Sequence, residues 1–230
     1  NNQYVSKTPL VDKDLFMTSC YCIPDHYLML EGSPTSAGNL EWFVNRLVDT
    51  GADGSGSVYQ ECDKAVAAGH PSDHAIIFLP FLHGTNEKSA AKSSFLGLEA
   101  HHTRDDMLRA VYEGIIFAHN HHLQRLLQFR ERPECIRMTG GAAHSEVWVQ
   151  MFADCFQIPV EVPAGTELGA LGAAIAAAVA TGIYPGYREA VAGMTRVARR
   201  CEPDPARASI YAEKYARYKK AVAVLDRLWN

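Results

Sequence analysis

The stretch Arg137-Met138-Thr139-Gly140-Gly141-Ala142-Ala143-His144-Ser145-Glu146-Val147-Trp148 reads as a short strand that ends in two glycines and opens a helix. Adjacent glycines let a ligand approach the backbone with no Cβ in the way. The helix that follows offers free N–H groups and the positive end of its dipole, which suits a polar or anionic ligand such as a nucleotide. A plain strand-to-helix turn has the same appearance, so the rest of the chain has to choose between the two readings.

Outward from this turn, short apolar runs alternate with longer amphipathic segments, the pattern of an α/β chain. Strands are expected at Tyr27–Glu31, Ala75–Leu79, Ser94–Leu98, Ile136–Thr139 and Ile158–Val162. Helices are expected at Ala37–Asp49, Val58–Ala68, Arg104–Phe129, His144–Phe156, Leu168–Thr181 and Ala206–Leu228. The helix from Arg104 has its start marked by Thr103 as N-cap and Asp106 at the capping-box position, with Met107, Val111, Ile115 and Ala118 along one face. The Ala/Gly-rich run Leu168–Ile183 is too short and too weakly apolar for a membrane span. Its small side chains, among them Gly169, Gly172, Ala173 and Ala176, predict a core helix lying close to a neighbouring backbone. Thr50–Ser57 reads as a flexible loop, and no boundary or repeat divides the chain.

With 230 residues, 47% of them hydrophobic, the chain is able to bury a sizeable core. A net charge of −4, from 22 basic and 26 acidic residues spread along the sequence, leaves no basic footprint for nucleic acid or an anionic membrane. Cys20, Cys22, Cys62, Cys135, Cys155 and Cys201 are too sparse for a disulfide scaffold and contain no CxxC pair, so they read as reduced thiols of a cytoplasmic protein. The opening Asn1-Asn2-Gln3-Tyr4, without an initiator methionine, reads as mid-domain sequence, and the expectation is a fragment of a longer protein.

Three further patterns accompany the glycine turn. Ser93-Ser94-Phe95-Leu96-Gly97-Leu98 is followed by Asp106-Met107 and Ala110-Val111-Tyr112-Glu113; Ser33-Pro34-Thr35-Ser36-Ala37-Gly38-Asn39-Leu40-Glu41-Trp42-Phe43 and Phe78-Leu79-Pro80-Phe81-Leu82-His83-Gly84 complete the set. Jointly they resemble the FGGY carbohydrate kinases, across essentially the whole chain but only that family's C-terminal, nucleotide-binding domain. Within the family the wording is most like the L-xylulose kinases. The resemblance implies a ribonuclease H-like domain, as in actin-like ATPases and sugar kinases, with a mixed sheet flanked by helices. It implies ATP with Mg²⁺ carried on the nucleotide phosphates, a sugar substrate, and an N-terminal sugar-binding domain of the same protein as partner; a homodimer is left open.

Carried over by position, the resemblance lays Gly140, Gly141 and Ala142 along the nucleotide, Gly141 nearest the phosphate–ribose end, with Ser145 at the adenine edge. Related glycerol kinases carry asparagine at the Ser145 position. Ala37, Gly38 and Glu41 match a second wall of the cleft, although they also read as the first turn of an amphipathic helix carrying Leu40, Trp42 and Phe43. Glu167, Gly169, Ala170 and Gly172 match a helix that supports domain closure, where close packing is the expected role.

His119, His121 and His122 offer metal-ligand types, but no local carboxylate or cysteine completes a set, and they read as structural. Asp105 and Asp106 sit in a helix first turn, where negative charge is favourable, and Asp154 lies far down its helix; all three read as structural. In the family the catalytic aspartate and the sugar pocket lie in the N-terminal domain and before a Gly-Thr phosphate turn that would precede Asn1. No catalytic residue and no metal ligand is therefore assigned in this chain. The reading is the ATP-binding C-terminal domain of a cytoplasmic sugar kinase that phosphorylates a ketopentose, L-xylulose, when joined to its N-terminal half, and is inactive without it. D-xylulose or another sugar or polyol stays open as substrate, as does a stand-alone nucleotide-binding regulatory module.

Overall fold

The computed structural model describes residues 1–12, 17–48 and 57–229. Of the loop expected at Thr50–Ser57 only Ser57 is described, and Asp49 also lies outside the described residues. Strands β1 (Asn2–Ser6), β2 (Met17–Cys20) and β3 (Tyr27–Glu31) precede helices α1 (Gly38–Leu47) and α2 (Val58–Ala68). Then come β4 (Ile77–Leu79), β5 (Ser94–Leu96), α3 (Arg104–Leu126), β6 (Ile136–Arg137), α4 (Glu146–Phe156) and β7 (Val160–Pro163). The chain continues through α5 (Leu168–Ala180), α6 (Tyr187–Met194), β8 (Val197–Cys201) and α7 (Ala208–Leu225). In one sheet β3 lies between β1 and β2, antiparallel to both. A second pairs β4 with β5 antiparallel, and a third, mixed sheet has β7 between parallel β6 and antiparallel β8.

The middle of α3 is the axis of the core. Its start is fixed as the sequence predicts: the Thr103 side chain accepts from the Asp106 N–H while Asp106 reaches back to the Thr103 N–H. That backbone hydrogen bond holds the Asp106 carboxyl below the usual carboxylate range. From Leu108 to Ala118 every residue is buried, because α3 is covered on all sides. One neighbour is β4, whose period-two alternation sends Phe78 into the main core with Phe43 and Ile115, and Ile77 and Leu79 into a second cluster with Phe117, Tyr211 and Tyr218. The approach is close at Gly114: a Cβ there would lie 2.3 Å from the Phe78 carbonyl oxygen. Only glycine fits.

A buried charge network ties α2, α3 and α7 together. Glu113 pairs with Arg109 at 3.3 Å and with Lys214, and His74 lies 3.9 Å away. Burial pushes the His74 imidazole down to about 3, so it stays neutral beside two cations. Arg109 Nη1 donates to the carbonyls of Val66 (2.7 Å) and Gly69 (3.0 Å), and Lys214 Nζ to that of Pro71 (2.8 Å). The connection after α2 is thereby fastened to the core.

Several expectations need correction. The helix expected from His144 begins at Glu146, because Gly141–His144 forms one 3₁₀ turn before Ser145 caps α4. Leu168–Ala180 is helical but is no core helix: only Ile175 and Ala178 are buried, and a Cβ at Gly169 or Gly172 would meet no heavy atom within 4 Å. Small residues record that something could approach closely; they do not require that it be another part of the same domain. Strands β1, β2 and β8 and helix α6 are additions. β1 (Asn2-Gln3-Tyr4-Val5-Ser6) buries no residue, so it carries almost no hydrophobic alternation to read. The six cysteines are all unpaired, and among the described residues no helix is long and apolar enough to cross a membrane.

Candidate functional site

β1 and β6 are each the end strand of their sheet, and they face one cleft of about 730 Å³. Its lining includes Asn2 and Tyr4 from β1, Ser36 and Ala37 ahead of α1, His119 and Leu123 from α3, and Arg137 to Ala142 from β6 and its turn. Gly140 has φ +88° and ψ −173°, a conformation essentially closed to residues with a Cβ. Gly141 lies outside the left-handed region, and a Cβ built on it would meet nothing within 4 Å. The first glycine is thus needed for the turn, and the second leaves open space beside the backbone.

Three side chains hold the turn in place. Ser145 Oγ accepts the Trp148 N–H at 3.1 Å, capping α4, and donates to Asp63 Oδ1 at 2.7 Å. The same oxygen accepts from Tyr112 Oη at 2.9 Å, so Asp63 joins α2, α3 and α4 at one atom. Arg199, from β8, donates to the Ala143 carbonyl at 3.0 Å and pairs with Glu146 at 3.0 Å. The backbone N–H groups of Gly141 and Ala142 are the first of the 3₁₀ turn and have no partner within it. The donors at the cleft therefore belong to this turn, and α4 begins behind it.

Of the seven residues that the sequence points to, the structure brings Gly140, Gly141, Ala142 and Ala37 to the lining of one cleft. Gly38, Glu41 and Ser145 stand outside that lining. Ala37 caps α1, Gly38 and Glu41 form its first turn with Glu41 exposed, and Ser145 is buried behind the turn. His119 is bonded through both ring nitrogens, to Asn2 and Ser36, which leaves neither for a metal. Asp154 is fully buried and accepts from Gln150, the Asp204 N–H and Arg207, a structural role. Asp63, Ser36 and Arg199 are neighbours of the turn and cleft that the sequence did not single out. Their partners are 82, 83 and 56 positions away, and only Ser36, spaced three from Ser33 as His119 is from His122, left a periodic trace. A second cleft, of about 840 Å³, lies between β3, α3 and α7. Lys88 pairs there with Asp226 and Arg125 with Glu87 and Glu31, while Lys219 stands over the Tyr215 ring, so acids offset most of its positive charge.

Residues 2–181 match the FGGY family of carbohydrate kinases, C-terminal domain. The chain belongs to that family. It is 38% identical over 206 residues to L-xylulose/3-keto-L-gulonate kinase of Escherichia coli (strain K12), covering 90% of this chain and 40% of that protein. It is 35% identical over 215 residues to a probable L-xylulose kinase of Pasteurella multocida (strain Pm70), covering 93% of this chain and 41% of the relative. The FGGY chain thus spans about two fifths of the length of these relatives. The crystal structure of xylulose kinase from Rhodospirillum rubrum superposes with a TM-score of 0.87 at 26% identity, over 99% of this chain and 45% of that one. The fold is accordingly the α/β, ribonuclease H-like arrangement of actin-like ATPases and sugar kinases, with helices flanking a mixed sheet.

Proposed function

We propose that this FGGY domain, over its full 230 residues, is the nucleotide-binding C-terminal half of a sugar kinase that moves the γ-phosphoryl group of ATP to a ketopentose hydroxyl. L-xylulose is the sugar proposed, because relatives bearing that name match over 90% and 93% of the chain. The observation that carries the reading is the Gly140–Gly141 turn, open beside its backbone and facing Ala37 across one cleft. The space where a Cβ is missing accommodates ribose and phosphate, and the free N–H groups of Gly141 and Ala142 donate to their oxygens. Bound ATP supplies the electrophilic phosphoryl group, with Mg²⁺ held on its phosphates.

Each of the other candidate residues has a part in this reading. Ala37 forms the opposite wall, while Gly38 and Glu41 start the helix that carries it. Ser145 acts chiefly by fixing the turn. Its hydroxyl hydrogen goes to Asp63, so a contact with the adenine edge would use its remaining lone pair, which can accept from an exocyclic amine. Sugar pocket and catalytic base are assigned to an N-terminal domain, in keeping with the two fifths of the relatives that the chain spans. A calorimetric titration with Mg-ADP, with Gly141→Asp as control, tests the nucleotide site. A coupled kinase assay on the full-length protein with L-xylulose, D-xylulose and other polyols tests the transfer. Nucleotide binding with no transfer to any of them would favour a regulatory module.

A further inference from the structure

We propose that His119 is a positioning residue for nucleotide binding, holding the segment Ser33–Ala37, which His122 also anchors, as a preformed wall of the cleft; the proposal rests on the nucleotide reading above. The two histidines stand three residues apart on α3, one turn of the helix, and so share a face. Ser33 and Ser36 have the same spacing on the segment that crosses that face. Ser36 Oγ lies 2.7 Å from His119 Nε2, and Ser33 Oγ 2.7 Å from His122 Nε2. The segment is pinned to the helix at two points, immediately before Ala37 reaches the cleft.

The direction of the His119 bonds follows from its neighbours. Asn2 Nδ2 donates to the His119 carbonyl oxygen at 2.7 Å, which fixes the amide with Oδ1 toward the ring. That oxygen only accepts, and it lies 2.8 Å from His119 Nδ1, so Nδ1 carries the proton. Nε2 is then the acceptor and Ser36 donates to it. A single neutral tautomer satisfies all three groups, and burial, which pushes the imidazole pKa down to about 3, keeps it neutral at working pH. The segment has a third anchor: Asn39, fully buried, donates to Thr35 Oγ1 at 3.3 Å and to the Ser36 carbonyl at 3.0 Å. His119 itself lines the cleft beside Ser36 and Ala37. Loss of the Ser36 bond would let Ala37 move relative to the Gly140–Ala142 turn without removing any group placed against the nucleotide.

The test compares Mg-ADP affinity, measured by calorimetry on the full chain, for wild type, Ser36→Ala, His119→Leu, His119→Gln, the double variant Ser36→Ala/His119→Leu, His121→Gln and Gly141→Asp. Melting curves accompany each. Ser36→Ala is expected to weaken binding about three- to tenfold, the effect of one lost hydrogen bond, and His119→Leu, which also loses the bond to Asn2, at least as much. The double variant should bind no more weakly than His119→Leu alone, since that single variant already breaks the Ser36 bond. His119→Gln should retain most affinity because its amide oxygen can accept from Ser36. His121→Gln, half exposed and on the second cleft, should match wild type. A merely structural role would lower the melting temperature and leave the affinity of the folded fraction alone. Wild-type affinity in folded Ser36→Ala, with binding abolished by Gly141→Asp, overturns this proposal and spares the nucleotide site. No binding by folded wild type overturns both. If His119→Leu does not fold, Ser36→Ala, which removes one hydroxyl, decides the matter.

Discussion

Replacing Gly141 with aspartate should abolish or sharply weaken nucleotide binding at unchanged stability, whereas replacing its neighbour Gly140 with alanine should lower stability. The difference comes from the backbone. At Gly140, φ +88° and ψ −173° place any Cβ in a region that costs about 1–3 kcal/mol. For a chain of this size each kcal/mol moves the melting temperature by about 2–4 °C, so Gly140→Ala should melt about 2–12 °C lower. At Gly141 no such strain exists, and a Cβ would meet nothing within 4 Å, so the folded state should tolerate the change within about 0.5 kcal/mol. What changes is the charge. A carboxylate about 4 Å from a phosphate oxygen is repelled by about 1 kcal/mol in bulk water and about 4 kcal/mol near a protein surface. That range corresponds to about a fivefold to a thousandfold loss of Mg-ADP affinity. Gly141→Ala separates the added methyl group from the charge. Thermal melts and calorimetric titrations of the three variants measure both quantities. Undiminished affinity in a folded Gly141→Asp protein would refute the placement of the site, and an unshifted melt of Gly140→Ala would refute the account of the turn.

Three further outcomes follow from the core and its caps. Gly114→Ala should destabilise by at least about 1–3 kcal/mol, since its Cβ would fall 2.3 Å from the Phe78 carbonyl oxygen; a urea titration matching wild type would show that α3 and β4 can separate freely. Thr103→Ala removes the α3 N-cap and should lower stability by about 1 kcal/mol, or about 2–4 °C, with no fall in melting temperature counting against the capping box. Acid should weaken the fold before the carboxylates titrate. His74 and His119 are held neutral to about pH 3 in the fold, whereas the unfolded chain protonates them below about 6.5. The unfolded state then binds more protons, so stability falls with pH by up to about 1.4 kcal/mol per unit for each histidine. Urea midpoints that stay flat between about pH 6.5 and 5 would contradict the burial of both rings.

The elements that the sequence showed clearly are those where two signals agree. α3 has an apolar periodicity and a capping box; β4 is an apolar run too short for a helix; the glycine turn has both a strand before it and a helix after it. Ser145 shows why the site was harder to read. A serine just ahead of a helix can cap it or meet a ligand, and Asp63, the partner that takes its hydroxyl hydrogen, stands 82 residues earlier. Likewise His119 and His122 were legible as a pair on one helix face, but their use depends on Ser33 and Ser36, which only the fold brings alongside. β1 escaped notice because an end strand with no buried residue needs no hydrophobic pattern. The Ala/Gly run was read correctly as a helix and wrongly as core, since composition specifies how closely a surface can be approached and not which surface arrives.

That last helix has an energetic character of its own. Along α5 the exposed residues include Gly169, Ala170, Gly172, Ala173, Ala174 and Ala177. None of them has a rotamer to freeze, whereas a comparable surface of lysine or glutamate would forfeit up to about 2 kcal/mol per immobilised side chain. Contact made or broken on this face is therefore governed by shape and displaced water, with side-chain disorder contributing almost nothing in either direction.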